Sequence, residues 1–296
     1  MERIILVPLD GSKETEAILP EIQRLATVRD QVHFLHVVPP VPTPAGVSVQ
    51  HLLGFLDQAL AYLQILRSKW LPNQRGLDLV RAGDPAQEIL GVALEKNVSL
   101  IAMATRGRTG LQRFLLGSVA SEIVRKSQLP VLLVRPDVRM PTHSIERILL
   151  AVDGTEAPAE ILETVKSLAC TAKSDIVLFH AMPPVQDPAP QWAPPVPLSI
   201  LNGPGHRLQD LADRLEEEGY QAWPVVCQGP PVEEIVSHVA RLDVDLVALA
   251  THARTGLERI FEGSVAEGVL KHTSVPVLLQ KPLLVRKPVL EGERHA

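Results

Sequence analysis

Two stretches of the chain have a spacing suited to holding an anion: ATRGRTGLQRFLLGS at 104–118 and ATHARTGLERIFEGS at 250–264. In each, an apolar run precedes the loop and a helix-like segment follows it. Gly107, Gly110 and Gly117 let the backbone approach phosphate oxygens or take positive φ. The Ser118 hydroxyl adds a hydrogen-bonding group, and a helix starting there presents unbonded N–H groups at the positive end of its dipole. Asp10 closes another apolar run in VPLDGS. An ionised carboxylate only accepts hydrogen bonds, so a sugar hydroxyl suits it better than a phosphate. If the two features face one crevice, they fit a nucleotide, with ribose at Asp10 and phosphates at Gly107 and Gly117–Ser118. The same residues also fit ordinary local structure: a turn with an N-cap, and an aspartate capping a helix entry.

The elements that must position these groups are legible as a repeat. RIILVPLDGS at 3–12 answers to RILLAVDGT at 147–155, VHFLHVVPP to IVLFHAMPP, RAGDPAQEIL to CQGPPVEEIV, and LPVLLVR to VPVLLQK, in the same order. A repeat of this length is a duplicated domain, since solenoid units run roughly 20–50 residues. The halves meet near PDVRMPTHS at 136–144, where prolines and polar residues interrupt the apolar pattern. Domains are expected over 1–136 and 145–282, with 283–296 as a tail. In the first, RIILVPL, QVHFLHVV, LDLVRA, VSLIAMA and PVLLVR have strand length and the near-continuous apolarity of a sheet covered on both faces. Helical spacing runs over 12–29, 51–70, 84–96 and 118–127, with Ile18, Ile22 and Leu25 facing inward in the first and Ile89, Ala93 and Leu94 in the third. Asp84 followed by Pro85 reads as an N-cap and first-turn pair. Strands alternating with helices imply a doubly wound, mostly parallel sheet. Ligands bind such sheets beyond the carboxyl ends of the strands, where the winding reverses.

Composition narrows the classes. The 296 residues carry a formal net charge of −5 and 3% aromatics, which leaves no broad basic stripe or base-stacking platform for nucleic acid. No apolar run reaches the roughly 18 residues of a membrane span, and MERIILVPLDGS lacks a cleavable signal pattern, so a cytoplasmic protein without membrane contact is expected. Cys170 and Cys227 form neither a disulfide framework nor a metal-ligand pattern. They read as packing residues, and no metal ligand is expected among the side chains.

DGS, LHVVPP, AGDPAQEI and above all RGRTGLQRFLLGSVASEIVRKSQLPVLLVR resemble the universal stress proteins, and the whole chain resembles their tandem, two-domain form. The resemblance implies two α/β domains, each a five-stranded parallel sheet of order 3-2-1-4-5 of the adenine nucleotide alpha hydrolase-like kind. It also implies ATP or a related adenine nucleotide as ligand, with Mg²⁺ or Mn²⁺ on the phosphates. The family's ATP loop has glycine, two residues, glycine, nine residues, then glycine and serine or threonine; these positions fall here at Ala104, Gly107, Gly117 and Ser118. By the same resemblance Asp10 holds the ribose and the backbone at Val37 contacts the adenine, with Pro8 and Leu9 among the nucleotide-binding residues. Met103, Ala104, Arg106, Gly107 and Arg108 belong to the loop and its approach, and Gly117, Ser118 and Val119 to the phosphate-binding helix start. His36, beside Val37, reads as a core histidine.

The second half departs from this pattern. Ala250 and Ala253 replace both loop glycines, and Glu262 precedes the anion-binding turn, although Asp153, Gly263 and Ser264 remain. Alanine at a position needing positive φ costs roughly 1 kcal/mol. A like charge about 4 Å from a phosphate costs on the order of 1 kcal/mol even in water. A weakened second site follows. No GxxxxGK[ST] loop and no general base can be named, so binding without fast turnover is expected, with ATP hydrolysis slow at most. A nucleotide-free interaction scaffold and a slow ATPase stand as the alternatives. The apolar fifth strands would be sheet edges that need covering. They are expected to pair with each other as an intrachain pseudo-dimer, with homodimerisation and an unidentified protein partner left open.

Overall fold

The computed structural model describes residues 2–39, 49–106, 116–138, 143–152, 159–172, 174–182, 203–250 and 265–281. Its first-half strands are β1 (Ile4–Pro8), β2 (Gln31–Val38), β3 (Asp78–Ala82), β4 (Leu100–Ala104) and β5 (Val131–Val134). The second half supplies β6 (Arg147–Ala151), β7 (Asp175–Met182), β8 (Ala222–Gln228), β9 (Leu246–Ala250) and β10 (Val277–Gln280). The helices are α1 (Lys13–Glu16), α2 (Leu19–Leu25), α3 (Val49–Trp70), α4 (Pro85–Glu95), α5 (Ser118–Lys126), α6 (Ala159–Ala172), α7 (Pro204–Glu217), α8 (Pro231–Arg241) and α9 (Val265–His272). All strands join one sheet of order β3-β2-β1-β4-β5-β10-β9-β6-β7-β8. Each half therefore has the order 3-2-1-4-5 and is parallel throughout.

Side chains alternate across the sheet, as the period of two requires. Ile5 and Val7 lie on the face covered by α2, α3, α6 and α7, while Leu6 lies on the face covered by α4, α5, α8 and α9. The helix expected over 12–29 is two helices. Pro20 has no N–H to donate back into a preceding turn, so the chain breaks at Ala17–Ile18 and α2 restarts with Pro20 in its first turn. Asp84 does cap α4, accepting from Gln87 N at 2.9 Å. Leu94 faces outward, with 82% of its surface exposed, and Val92 fills the buried stripe instead.

Between the halves, β5 and β10 pair antiparallel: Val131 opposite Leu279, Leu132 opposite Leu278, Leu133 opposite Val277. Aligning LPVLLVR with VPVLLQK makes Leu278 the counterpart of Leu132. Leu132 thus meets its own counterpart, and a pseudo-two-fold axis passes between them.

A buried ionic cluster also crosses this junction. Arg24 of α2 reaches Glu21 Oε2 at 2.6 Å, Asp245 Oδ1 at 3.2 Å and the His143 carbonyl at 2.8 Å. Asp245 occupies the position of Ser99 in the first half, and its Oδ2 accepts from the N–H groups of Glu146 and Arg147. The exposed His143 ring lies 3.6 Å from the same carboxylate. Two buried carboxylates therefore share one guanidinium, and Glu21 Oε1 finds no hydrogen bond among the described residues. Burial pushes the Glu21 carboxyl up to about 7 despite Arg24.

A raised carboxyl favours the folded state when protonated. Its stabilisation is complete below the ordinary carboxylate range and is lost as pH rises through about 7. Glu21→Gln, which mimics the protonated form, should therefore match the native chain near pH 5 and exceed it at pH 8 by an amount of order 1–3 kcal/mol. Denaturant melts of both proteins across that range check this. A pH-independent difference would count against a titrating Glu21.

Candidate functional site

The carboxyl ends of β1 and β4 are neighbours in the sheet, and between them opens a cleft of about 280 Å³. β1 brings Pro8 and, just beyond it, Leu9 and Asp10; β2 brings Val37; β4 brings Met103 and Ala104, followed by Arg106. The start of α5 brings Gly117, Ser118 and Val119. All of these expected residues line the one cleft. Gly107 and Arg108 lie outside the described residues, as do Asp153, Gly263, Ser264 and the substituted positions Ala253 and Glu262.

Asp10 is held by the turn it begins. Its Oδ1 accepts from Ser12 N at 2.9 Å, Ser12 Oγ at 2.5 Å and Thr15 Oγ1 at 2.8 Å. The helix-entry role is thus real, but it belongs to Ser12, whose hydroxyl caps α1. Asp10 steadies that cap while remaining on the cleft wall. Gly11 makes the turn at φ +85°, a left-handed conformation that side-chain-bearing residues enter at a cost. Gly117 needs no such freedom, since its φ of −63° is open to any residue. It caps α5 without a side chain, so the first-turn N–H groups of that helix are left for water or a ligand.

Sequence reasoning passed over Thr105. Its N–H donates to Val134 O at 2.8 Å and its carbonyl accepts from Gly117 N at 2.7 Å, which ties the ends of the loop to the sheet. Thr105 lines the cleft with 1% of its surface exposed, and its buried hydroxyl has no hydrogen bond among the described residues. A buried hydroxyl without a partner costs free energy, which a ligand oxygen could relieve. The available signal was the Ala-Thr pair that opens both loops, at 104–105 and 250–251.

His36 is a correction. On β2 it follows Leu35 to the end of the strand, half-exposed on the cleft wall, with its ring edge-on to Tyr62 at 6.1 Å. Its Nδ1 is buried, so the ring belongs partly to the core and partly to the cleft wall. Tyr62 donates to Glu16 Oε1 at 3.1 Å, and burial together with Glu16 pushes its phenol above the ordinary range.

Of the two cysteines, Cys227 packs against the core as expected, and the Cys170 side chain lies outside the described residues. Cys170 lies on α6, and Cys227 on β8 is half-buried against the second-face core. The spacing of the cysteines suggests no ligand cluster, yet the fold gathers Cys227, Glu234 and His238. Among the described residues no helix is long and apolar enough to cross a membrane.

Comparison with known proteins places these features in a wider set. The model of the universal stress protein family matches residues 1–135 and again 144–281. A universal stress protein of Mycolicibacterium smegmatis is 25% identical over 299 residues, covering 94% of this chain and 97% of its own length. One from Methanocaldococcus jannaschii is 33% identical over 142 residues, spanning 44% of this chain and 81% of the relative. The crystal structure of a universal stress protein from Archaeoglobus fulgidus superposes with a TM-score of 0.70 at 19% identity, over 94% of this chain and 98% of that one.

Proposed function

The chain belongs to the universal stress protein family, and from that premise we propose that its first domain binds an adenine nucleotide, ATP or a close relative, in the cleft between β1 and β4. The observation that carries this reading is the chemistry gathered on one cleft. A fixed carboxylate at Asp10, the Thr105 hydroxyl, without a partner among the described residues, and the open start of α5 stand around apolar walls that include Val37 and Met103. The carboxylate suits ribose hydroxyls, the helix start and Ser118 suit phosphates, and the apolar wall suits a purine face. A divalent cation, Mg²⁺ or Mn²⁺, would ride on the phosphates, with Arg106 adding positive charge at the mouth.

The role we read for this site is regulatory: occupancy, rather than turnover, is read by a protein partner in the cytoplasm. The second domain, without its loop glycines, serves mainly as the structural counterpart of the first.

Calorimetric titration of nucleotide-free protein with Mg-ATP should give one site per chain. Thr105→Val should weaken that binding by about 5–10-fold, the worth of one hydrogen bond, while leaving thermal stability unchanged or slightly raised because a buried unpaired hydroxyl is gone. Two sites per chain would reverse the assignment to the first domain alone. Absence of binding would leave a scaffold.

A further inference from the structure

The two halves can be laid on each other residue by residue, and one pocket of chemistry occurs in the second alone. RAGDPAQEILGV at 81–92 corresponds to CQGPPVEEIVSH at 227–238. Glu88 and Glu234 match, and each folds its carboxylate back against a glycine. A Cβ on Gly83 would lie 2.7 Å from Glu88 Oε1, and one on Gly229 would lie 2.5 Å from Glu234 Oε1. This carboxylate-on-backbone arrangement belongs to the shared fold. What differs is its surroundings: Arg81 becomes Cys227 and Val92 becomes His238. In the first half Arg81 turns away to Glu95 at 3.0 Å. In the second, both replacements supply a metal-binding atom beside the retained carboxylate.

We infer that Cys227, Glu234 and His238 form a transition-metal site of the zinc type, with three protein ligands and an open fourth position. One ligating atom from each residue lies within 4.8 Å of the others. Bonds of about 2.0–2.3 Å to a tetrahedral Zn²⁺ set its ligand atoms roughly 3.3–3.8 Å apart, so small side-chain rotations close the site. Glu234 and His238 stand one helical turn apart on α8, and β8 presents Cys227 to them across the gap. His238 Nδ1 lies 3.7 Å from Glu234 Oε2; its contact with the Glu234 carbonyl at 2.8 Å is exchanged for the ion on binding, while the ring keeps its packing on Phe179 at 5.0 Å. Cys227 Sγ lies 3.8 Å from the His180 carbonyl.

The donor set of thiolate, imidazole and carboxylate favours Zn²⁺ and its borderline neighbours over Mg²⁺ or Ca²⁺, which take oxygen ligands. Thiolate and carboxylate together cancel the charge of a divalent ion, as a half-buried site requires, and the ion replaces the thiol proton, which passes to solvent. Cys227 pairs in register with Ala181, as Arg81 pairs with Val37 on the wall of the first-domain cleft. The metal would therefore stand beside the corresponding edge of the second domain.

The test uses the full chain without an affinity tag, stripped with chelator and titrated with Co²⁺. One equivalent should produce the strong visible absorption of tetrahedral Co²⁺ with a thiolate charge-transfer band in the near ultraviolet, and added Zn²⁺ should erase both. Cys227→Ser should abolish the charge-transfer band, Cys170→Ser should preserve it, and His238→Val, which restores the residue of the first domain, should remove the tetrahedral spectrum. Glu234→Gln should weaken Co²⁺ by about tenfold or more. Circular dichroism of each variant separates lost binding from lost folding, and the two half-buried ligands, Cys227 and Glu234, carry the test if His238→Val does not fold. Weak octahedral absorption without charge transfer, or a band that survives Cys227→Ser, overturns the site.

Discussion

Leu132→Asp should destabilise the chain by about 4–5 kcal/mol or more at neutral pH, with a fall in Tm of roughly 10 °C. Leu132 is fully buried in the middle of the ten-stranded sheet, opposite the equally buried Leu278. A carboxylate there faces its own symmetry counterpart, an apolar side chain that offers no compensating donor. The new carboxyl would hold its proton far above the ordinary carboxylate range, so the defect should deepen as the pH rises through that range and beyond. Leu132→Ala isolates the packing loss, expected at about 2–4 kcal/mol and without such pH dependence. Chemical denaturation of the two variants at pH 5 and pH 8 makes the comparison. Equal costs at both pH values would mean that the junction opens to water, and that the two halves are held by something other than this strand pair.

Gly76→Ala should cost about 3 kcal/mol or more although Gly76 is only half-buried. Its φ is +156°, and a Cβ would fall 1.7 Å from the Val32 carbonyl oxygen. That oxygen belongs to the backbone of β2, which hydrogen bonds from Val32 N to Arg75 O and from Phe34 N to Leu77 O clamp on either side. The methyl group can be accommodated only by pulling β3 away from β2. Gly219 makes a useful contrast. It ends α7 at φ +91° with nothing within 4 Å of an added Cβ, so Gly219→Ala should cost only the conformational penalty, about 1 kcal/mol. Similar losses at the two positions would show that β3 yields more easily than its hydrogen bonding implies.

The strands were legible because β1, β4 and β5 are almost wholly buried, and continuous apolar runs say so directly. The cleft was legible for a related reason: Asp10, Ser118 and the loop between them sit at strand ends and a helix start, where local chemistry is written in consecutive residues. Thr105 was not, since a threonine at the end of a strand looks like any other until pairing with Val134 and Gly117 buries its hydroxyl. Pro20 was visible but subordinate to the apolar periodicity around it, and the missing N–H decided the matter. Leu94 fitted the spacing of a buried stripe, and Val92 took its place because the stripe is set by what the sheet presents. The Glu21–Arg24–Asp245 cluster lay beyond local reading, because its members come from opposite ends of the chain and meet only once the halves dock. Cys227 and His238 become conspicuous only when each half is used as the reference for the other.

The antiparallel join of β5 to β10 gives the molecule two separate rims. Strands in one half run opposite to those in the other, so their carboxyl ends emerge at opposite edges of the sheet. Change at one end is therefore insulated from the other by the whole length of the strands. A gene duplication that fuses two domains in this way yields a spare rim, one that can lose an old ligand or acquire new chemistry while its twin keeps the ancestral task. The contrast between Arg81 and Val92 on one rim and Cys227 and His238 on the other is a divergence such an architecture permits.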